Sequence, residues 1–251
     1  MTGTGTDRPP RRWHHASTTL DHFAVVTLRV DLERLRSQVP TRFTPRSFRF
    51  ADGTTGALVS VVAFIERHFA FRFAPFVRIS GALVDYRAYG HVDGEAGVYV
   101  FATSLDHPLV VLPRALWRMP WRREPVRIDG RWDEPGPVRL RVSTDGDAGL
   151  ALALTGRGRP VGPLDGFVDA DEALAVLTHP LAGWYGDDAD LRRYSVWHDV
   201  LEPQEATVEH ASIPVFEALG LVDGTDAVHS ALLVERATFD VHTPPRRVPA
   251  G

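Results

Sequence analysis

Residues 84–89 (Val-Asp-Tyr-Arg-Ala-Tyr) hold the strongest candidate for a reactive site in this sequence. The composition of the segment predicts a β-strand, in which side chains alternate between two faces. Asp85, Arg87 and Tyr89 would therefore share one face, and the opposite face would carry Val84, Tyr86 and Ala88. If the first face lines a barrel, Asp85 would move a proton, the planar Arg87 guanidinium would hold a carboxylate or enolate, and Tyr89 would donate a proton. A solvent-facing strand with a local Asp–Arg pair is the alternative, which this pattern leaves open.

His198 is a second catalytic candidate, at the end of a strand predicted near residues 194–198. An imidazole titrates near neutral pH, so His198 would serve as a general base. A hydrogen-bonded structural histidine is the alternative, since no partner lies at a fixed spacing. Glu66, Asp106 and His107 lie at predicted strand ends and are further candidates, with turn roles as the alternative, above all for Asp106, which precedes a helix.

Arginines alternate with large apolar side chains over residues 113–123. Arg114, Trp121 and Arg122 would form an anion-binding rim above an apolar floor, with substrate-binding roles. An amphipathic helix whose arginine stems cover the tryptophan rings is the alternative.

Several classes of chemistry are excluded or unsupported by the sequence. All 28 basic residues are arginine, so no side-chain amine can form an imine with a carbonyl compound or with pyridoxal phosphate. The absence of cysteine removes disulfides, thiolate nucleophiles and iron–sulfur ligation. No glycine-rich nucleotide loop, His-Glu-x-x-His motif or Gly-x-Ser-x-Gly elbow is present, and we expect no cofactor and no metal.

The composition is typical of one globular domain, which we place at residues 19–243 between a disordered leader, 1–18, and a flexible tail, 244–251. The net charge of -4 favours neither nucleic acid nor anionic membranes as partners. The beginning of the sequence does not resemble a signal peptide, and no apolar run approaches the length of a membrane span, so we expect a cytoplasmic protein.

Strands dominate the predicted elements. Apolar and β-branched runs predict strands at 21–30, 57–64, 79–89, 97–103, 126–128, 138–142, 150–154, 194–198, 206–210 and 231–241. Helices are predicted from Asp31 through Gln38, over 109–119, from Asp169 through Leu177, and after Pro214. In the helix at 109–119, one apolar face would carry Leu109, Leu112, Leu116 and Met119. Strands do not alternate regularly with helices, so an antiparallel barrel or sandwich is favoured over a doubly wound parallel sheet.

Several segments together resemble the uncharacterised YqjF-like family (domain of unknown function 2071), a branch of the acetoacetate decarboxylase-like superfamily. The similar segments are Asp52-Gly53 with 57–64, Arg87-Ala88-Tyr89, 97–106, 113–121, His198 and 239–246. The resemblance spans about residues 20–247, and it rests on the order and spacing of motifs that are each weak alone. It implies an α+β, mostly β fold: a cone-shaped antiparallel β barrel or double sheet with a few peripheral helices and an internal pocket.

The resemblance also implies that the residues used for imine chemistry in the superfamily are replaced in this chain. The better-known superfamily members act on keto acids through a lysine imine, with two adjacent lysines after a proline. The corresponding residues here are Trp121 and Arg122 after Pro120, and Leu83 stands where an acidic residue is expected.

We therefore expect a pocket that binds a small carbonyl or carboxylate compound, including polyketide-like ones, with lysine-independent lyase, isomerase, dehydratase or cyclase chemistry. A non-catalytic carrier or sensor is the first alternative. A structural protein is the second, because 13 Phe and 6 Trp could fill a barrel completely. The oligomeric state is open, with a homo-oligomer among the alternatives.

Overall fold

The computed structural model describes residues 8–108, 111–132, 135–145, 149–223 and 228–249. Fourteen strands are present in this part of the chain: β1 Ala16–Val30, β2 Phe43–Pro45, β3 Phe48–Arg49, β4 Thr55–Phe71, β5 Ile79–Val92, β6 Glu95–Leu105, β7 Trp121–Arg123, β8 Val126–Arg131, β9 Arg139–Thr144, β10 Ala151–Pro160, β11 Ala182–Tyr185, β12 Arg192–Trp197, β13 Gln204–Ser212 and β14 Val228–Arg247. The helices are α1 Leu32–Gln38, α2 Val111–Trp117, α3 Ala170–Leu177 and α4 Pro214–Ala218.

Seven strands form a closed barrel in the order β1-β4-β5-β6-β11-β12-β14, which returns to β1. The long strand β14 closes the ring, because it pairs with β1 along Ala16–Leu28 on one edge and with β12 on the other. Among the described residues, the pairings of β6 with β11 and with β7 are parallel, and the other pairings are antiparallel. The predicted mostly β barrel fold with few helices is confirmed.

A second layer of strands covers part of the outside of the barrel. Strands β13, β10, β9 and β8 continue the sheet from β14, and β8 returns to pack against β4 and β5. The apolar residues between the two layers form one core, which includes Val84, Tyr86 and Ala88. The barrel interior forms a separate core, which includes Leu83 and Tyr89. The predicted alternation along β5 is therefore confirmed, and the face with Tyr89 points inward.

The predicted caps of two helices are confirmed. The Asp31 carboxylate accepts a hydrogen bond from the Arg34 amide at 2.8 Å, and Asp169 accepts one from the Glu172 amide at 2.8 Å. Such caps satisfy amides that the first helical turn leaves without a partner. Helix α2 ends at Trp117, two residues before its predicted end, and Leu116, predicted on its apolar face, is 65% exposed. Leu109 lies outside the described residues.

The two ends of the domain differ from the predictions of a flexible leader and tail. Residues 1–7 of the predicted leader lie outside the described residues, but β1 begins at Ala16. Arg8 and Arg11 both contact the buried Asp240 carboxylate, at 2.7 Å. Strand β14 continues to Arg247, where it pairs with β12. The sequence did not predict these ion pairs and this strand pairing, because Pro-rich and Arg-rich composition is typical of unstructured ends.

The short strands β2, β3, β7 and β11 were not predicted, since two to four residues are too few to show a periodic pattern. No described helix is long and apolar enough to cross a membrane.

Candidate functional site

A cavity of about 600 Å³ opens at one end of the barrel interior. Its wall is mostly aromatic and aliphatic, because the inward faces of β4, β5, β6, β11 and β12 meet here with the end of β14. The aromatic residues that line it are Phe64, Phe69, Phe71, Phe73, Trp117, Trp121, Tyr185 and Tyr194. Cavities of this size and composition are typical of small-molecule sites.

Asp85 lines this cavity, as predicted for an inward-facing residue of β5. The hydroxyl of Thr103, on the neighbouring strand β6, donates a hydrogen bond of 2.6 Å to Asp85 Oδ1. Burial among apolar side chains raises the pKa of the Asp85 carboxyl, and the hydrogen bond from Thr103 and the nearby Arg87 charge oppose that rise. Asp85 is therefore an acidic group held in a poorly solvated place, which is a common property of catalytic carboxyls.

Glu66 brings a second carboxyl into the same cavity. Glu66 lies on β4 opposite Gly81, and Asp85 lies opposite Val62, so the two acids share the inward face of the β4–β5 pair. Burial raises the pKa of Glu66 to about 7, and the Asp85 charge acts in the same direction. A carboxyl with this pKa exists in both protonation states near neutral pH. The sequence marked Glu66 only as a strand-end candidate, although it continues the alternation of the apolar run that precedes it.

Tyr194 adds a hydroxyl to the cavity wall, and sequence reasoning did not single it out. Its ring covers Gly183, its cross-strand partner on β11, so closely that a Cβ on Gly183 would overlap it. Burial raises the pKa of the Tyr194 hydroxyl, and the Asp85 charge raises it further. The hydroxyl makes no hydrogen bond to a described residue and stays protonated, so it can donate to a ligand. The sequence pattern that could have indicated Tyr194 is its spacing of four residues from His198, which places both side chains on one face of the predicted strand.

Arg87 and Tyr89 continue the inward face of β5 past Asp85, but neither lines the cavity. Arg87 donates from Nε to Ser60 Oγ at 3.1 Å and from Nη2 to the Leu177 carbonyl oxygen at 2.8 Å. The Tyr89 hydroxyl is buried and donates to Ser60 Oγ at 2.9 Å. The predicted direct roles of Arg87 in ligand binding and Tyr89 in proton donation therefore lack access in this structure. Arg87 still lies near enough to Asp85 and Tyr194 to affect their titration.

His198 is buried beside the cavity rather than in its wall. Its ring stacks on Phe239, with centroids 4.1 Å apart, and meets His179 edge-on at 4.5 Å. His198 Nδ1 lies 2.8 Å from the Asp199 carbonyl oxygen, to which it donates. Burial lowers the pKa of His198 to about 4. This arrangement matches the structural alternative, because His198 lacks access to the cavity and its low pKa makes the ring a weak base.

The predicted rim of arginines and tryptophans divides into two sets. Trp121 lines the cavity, as predicted. Trp121 pairs with Thr103 and Arg122 pairs with Ser104, so alternation turns Arg122 to the other side of β7, where it is exposed. Arg114 is exposed on α2 and does not line the cavity. Within the described residues, the apolar floor is present and no arginine lines the cavity.

The remaining candidates lie at the edge of the site. His107 lines the cavity, whereas Asp106 is exposed, in agreement with its turn role. Leu83, at the place of the family's acidic residue, also lines the cavity, one inward position before Asp85. Among the described residues, no group of three or more His, Asp or Glu side chains has the geometry to hold a metal ion.

The fold is shared with solved structures of low sequence identity. The enduracididine biosynthesis enzyme MppR, solved with pyruvate, has a TM-score of 0.61 and 13% identity over 97% of this chain and 92% of its own. An acetoacetate decarboxylase-like enzyme from Sphingomonas wittichii RW1 has a TM-score of 0.60 and 14% identity over 99% of each chain. Acetoacetate decarboxylase from Legionella pneumophila has a TM-score of 0.57 and 12% identity over 98% and 93%. Likeness at these identities establishes the fold alone.

A family model agrees with the resemblance read from the sequence. No match was found among curated proteins. The model of DUF2071, described as "Uncharacterized conserved protein", matches residues 17–235, which is most of the chain and includes the strands that carry Glu66, Asp85 and Tyr194. This protein therefore belongs to the DUF2071 family and has the acetoacetate decarboxylase-like fold.

Proposed function

We propose that this protein is an enzyme that performs acid–base chemistry on a largely apolar carbonyl compound held in the barrel cavity. The observation that carries the proposal is the presence of two carboxyl groups, Asp85 and Glu66, with raised pKa values inside an aromatic cavity. Buried acids with perturbed titration are concentrated at catalytic sites, because the fold must support their burial. Lyase, isomerase, dehydratase and cyclase reactions all need such proton transfers.

Three polar side chains of the cavity wall have separate roles in the proposed reaction: Glu66, Tyr194 and Asp85. Glu66 takes up and returns a proton near neutral pH, where its pKa of about 7 suits both directions of transfer. The protonated Tyr194 hydroxyl donates a hydrogen bond to the carbonyl oxygen and stabilises the charge that develops there. Asp85 moves a second proton, and Arg87 stabilises negative charge from behind Asp85 rather than by contact with the ligand.

The cavity favours a neutral carbonyl compound over a carboxylate. Two carboxyl groups line the wall, and no arginine does so among the described residues. A carboxylate ligand would meet charge repulsion from these two groups without a compensating arginine among the described residues. Rings such as Phe64 and Trp121 offer faces for an aromatic or polyketide-like ligand. An imine mechanism is absent from the proposal because no lysine is present.

Exchange of carbon-bound protons with solvent tests the proposal directly. The purified protein is incubated in D₂O with neutral aliphatic and aromatic ketones and β-diketones, and loss of the α-proton signal is followed by NMR. We expect catalysed exchange that falls by about 100-fold or more in Asp85→Asn and Glu66→Gln. Asp106→Asn is the matched control, since Asp106 is exposed, and it should exchange at the wild-type rate.

The same assay separates catalysis from simple binding. The aromatic wall of the cavity also suits a carrier or sensor, which would bind a panel compound without changing it. Ligand-dependent thermal stabilisation with no exchange and no product, in wild type and variants alike, would replace the enzymatic proposal with the binding one.

A further inference from the structure

The mouth of the cavity is surrounded by exposed apolar side chains. Trp13, Phe73, Phe76, Val77 and Leu116, here called the mouth patch, are 70%, 56%, 82%, 50% and 65% exposed. Among the described residues, the other exposed large apolar side chains are Val168 and Val200 alone. Exposed apolar groups therefore concentrate at one place, which is the usual sign of an interaction surface.

The mouth patch is continuous with the cavity wall. Phe73 and Leu116 line the cavity as well as facing outward. The Trp13 ring meets the Phe73 ring edge-on at 5.6 Å, which joins the N-terminal segment to the β4–β5 turn. Phe76 and Val77 lie at the tip of that turn, which a hydrogen bond from the Val77 amide to the Ala74 carbonyl oxygen shapes. A ligand that leaves the cavity therefore passes the mouth patch.

The chain segments around the mouth are strongly basic, although the whole chain is net acidic. Residues 8–20, 67–84 and 108–123 contain three, three and four arginines. The three segments hold no Asp or Glu. Arg12, Arg72, Arg78 and Arg114 are exposed and make no ion pair with a described residue. Four others of the ten arginines pair with acids outside these segments: Arg8, Arg11, Arg67 and Arg118. The positive charge around the mouth therefore comes from the arginines without an ion pair, although the overall charge is -4.

We propose that the mouth patch docks on an anionic lipid bilayer, so that an apolar ligand passes between membrane and cavity. Aromatic and aliphatic side chains on a protruding turn can enter the headgroup region, and the surrounding arginines are attracted to anionic lipids. A second copy of the chain suits the surface less well, because two mouths face to face would bring unpaired arginines together. This proposal revises the expectation from net charge that anionic membranes are not partners.

Vesicle flotation with the full-length protein tests the docking. We expect binding to vesicles of phosphatidylcholine with phosphatidylglycerol, at least tenfold weaker binding to phosphatidylcholine alone, and loss of binding at high salt. Phe76→Ser/Val77→Ser should weaken binding to the anionic vesicles at least tenfold, and Arg72→Gln/Arg78→Gln should do the same. None of these four residues lines the cavity, so α-proton exchange of water-soluble ketones should be unchanged.

The control variant is Val168→Ser/Val200→Ser, which removes two exposed apolar groups away from the mouth and should bind vesicles like wild type. Equal thermal midpoints will show that all variants are folded. Absence of a preference for anionic vesicles, or equal loss in the control, would overturn the docking proposal. A dimer in light scattering that Phe76→Ser/Val77→Ser dissociates would assign the patch to a second copy, and binding of an acidic protein but no vesicle would assign it to a protein partner. Either result leaves the exchange assay of the proposed enzyme unaffected.

Discussion

At the scale of single residues, the burial of two acids in an apolar cavity governs the chemistry of the site. A carboxylate loses its hydration shell there, so the protonated form is favoured and the pKa of Glu66 rises to about 7. The same physics keeps the Tyr194 hydroxyl protonated and His198 neutral. Of Glu66, Tyr194 and His198, only Glu66 titrates near neutral pH, so we assign it as the proton carrier of the proposed reaction.

The raised pKa of Glu66 predicts how stability depends on pH. Between its ordinary pKa of 4.5 and about 7, the folded protein binds more protons at this site than the unfolded chain. The contribution of Glu66 to the free energy of unfolding is thus fully present below pH 4.5 and is lost as the pH rises through 7, by about 3 kcal/mol. Urea unfolding at pH 5 and pH 8 should show this loss in wild type and not in Glu66→Gln.

The pH dependence of wild type is compared with that of Glu66→Gln because other groups also change the free energy of unfolding with pH. Burial lowers the pKa of His15 and His198 to about 4, so these histidines make stability rise with pH up to about 6.5, in the opposite direction. Glu202→Gln, at an exposed glutamate, controls for the loss of one charge. An identical pH dependence in wild type and Glu66→Gln would contradict the burial argument.

At the scale of elements, the short pair β11–β12 positions the Tyr194 ring. Gly183 on β11 has no side chain, and the Tyr194 ring of β12 occupies the space that a Cβ would take. A larger residue would push the ring out of the wall between Tyr185 and Val196. The glycine is therefore needed for the shape of the cavity, although it does no chemistry.

Gly183→Ala should lower the free energy of unfolding by about 1–3 kcal/mol, because a methyl group has no room beneath the ring. It should also reduce α-proton exchange, since the displaced Tyr194 hydroxyl no longer meets the carbonyl oxygen. Urea unfolding and the NMR exchange assay measure the two effects. Gly162→Ala is the matched control, because its Cβ would have ordinary contact, with Glu205 Oε1 at 3.4 Å. Wild-type behaviour of Gly183→Ala would show that the ring tolerates displacement.

At the scale of the whole molecule, strand β14 and the N-terminal segment close the structure together. Asp240 on β14 is 2% exposed and receives both Arg8 and Arg11, each at 2.7 Å. Arg8 also lies over the Trp197 ring of β12, at 4.6 Å from its centroid. These contacts hold the segment that carries Trp13 and His14 next to the cavity mouth.

The double substitution Arg8→Ala/Arg11→Ala should destabilise the fold, because it leaves the buried Asp240 carboxylate without a cation. We expect a fall of about 2 kcal/mol in the free energy of unfolding, below the cost of breaking a fully buried pair since both arginines are partly exposed. Urea unfolding at pH 7 measures the change. Arg12→Ala, at an arginine with no ion pair to a described residue, should stay within about 0.5 kcal/mol of wild type. Equal stability of the double variant and wild type would mean that the segment is not held by Asp240.

The sequence by itself determined the local features of this protein. Apolar and β-branched runs predicted the long strands, and Asp31 and Asp169 predicted the starts of two helices, because these signals act within a few residues. Alternation correctly grouped Asp85 with Arg87 and Tyr89 on one face of β5. The lack of lysine excluded imine chemistry from composition alone.

Only the tertiary structure decided which of these groups meet. Strand periodicity relates side chains within one strand, but the inward face and the register between distant strands depend on packing across the barrel. That packing brought Glu66, Asp85 and Tyr194 to one cavity, placed Arg87 and Tyr89 behind it, and buried His198 against Phe239. Pairing with β6 made residues 121–123 a strand, in which alternation turns Trp121 and Arg122 to opposite faces. Burial also set the pKa of Glu66, because desolvation depends on neighbours that are remote in sequence.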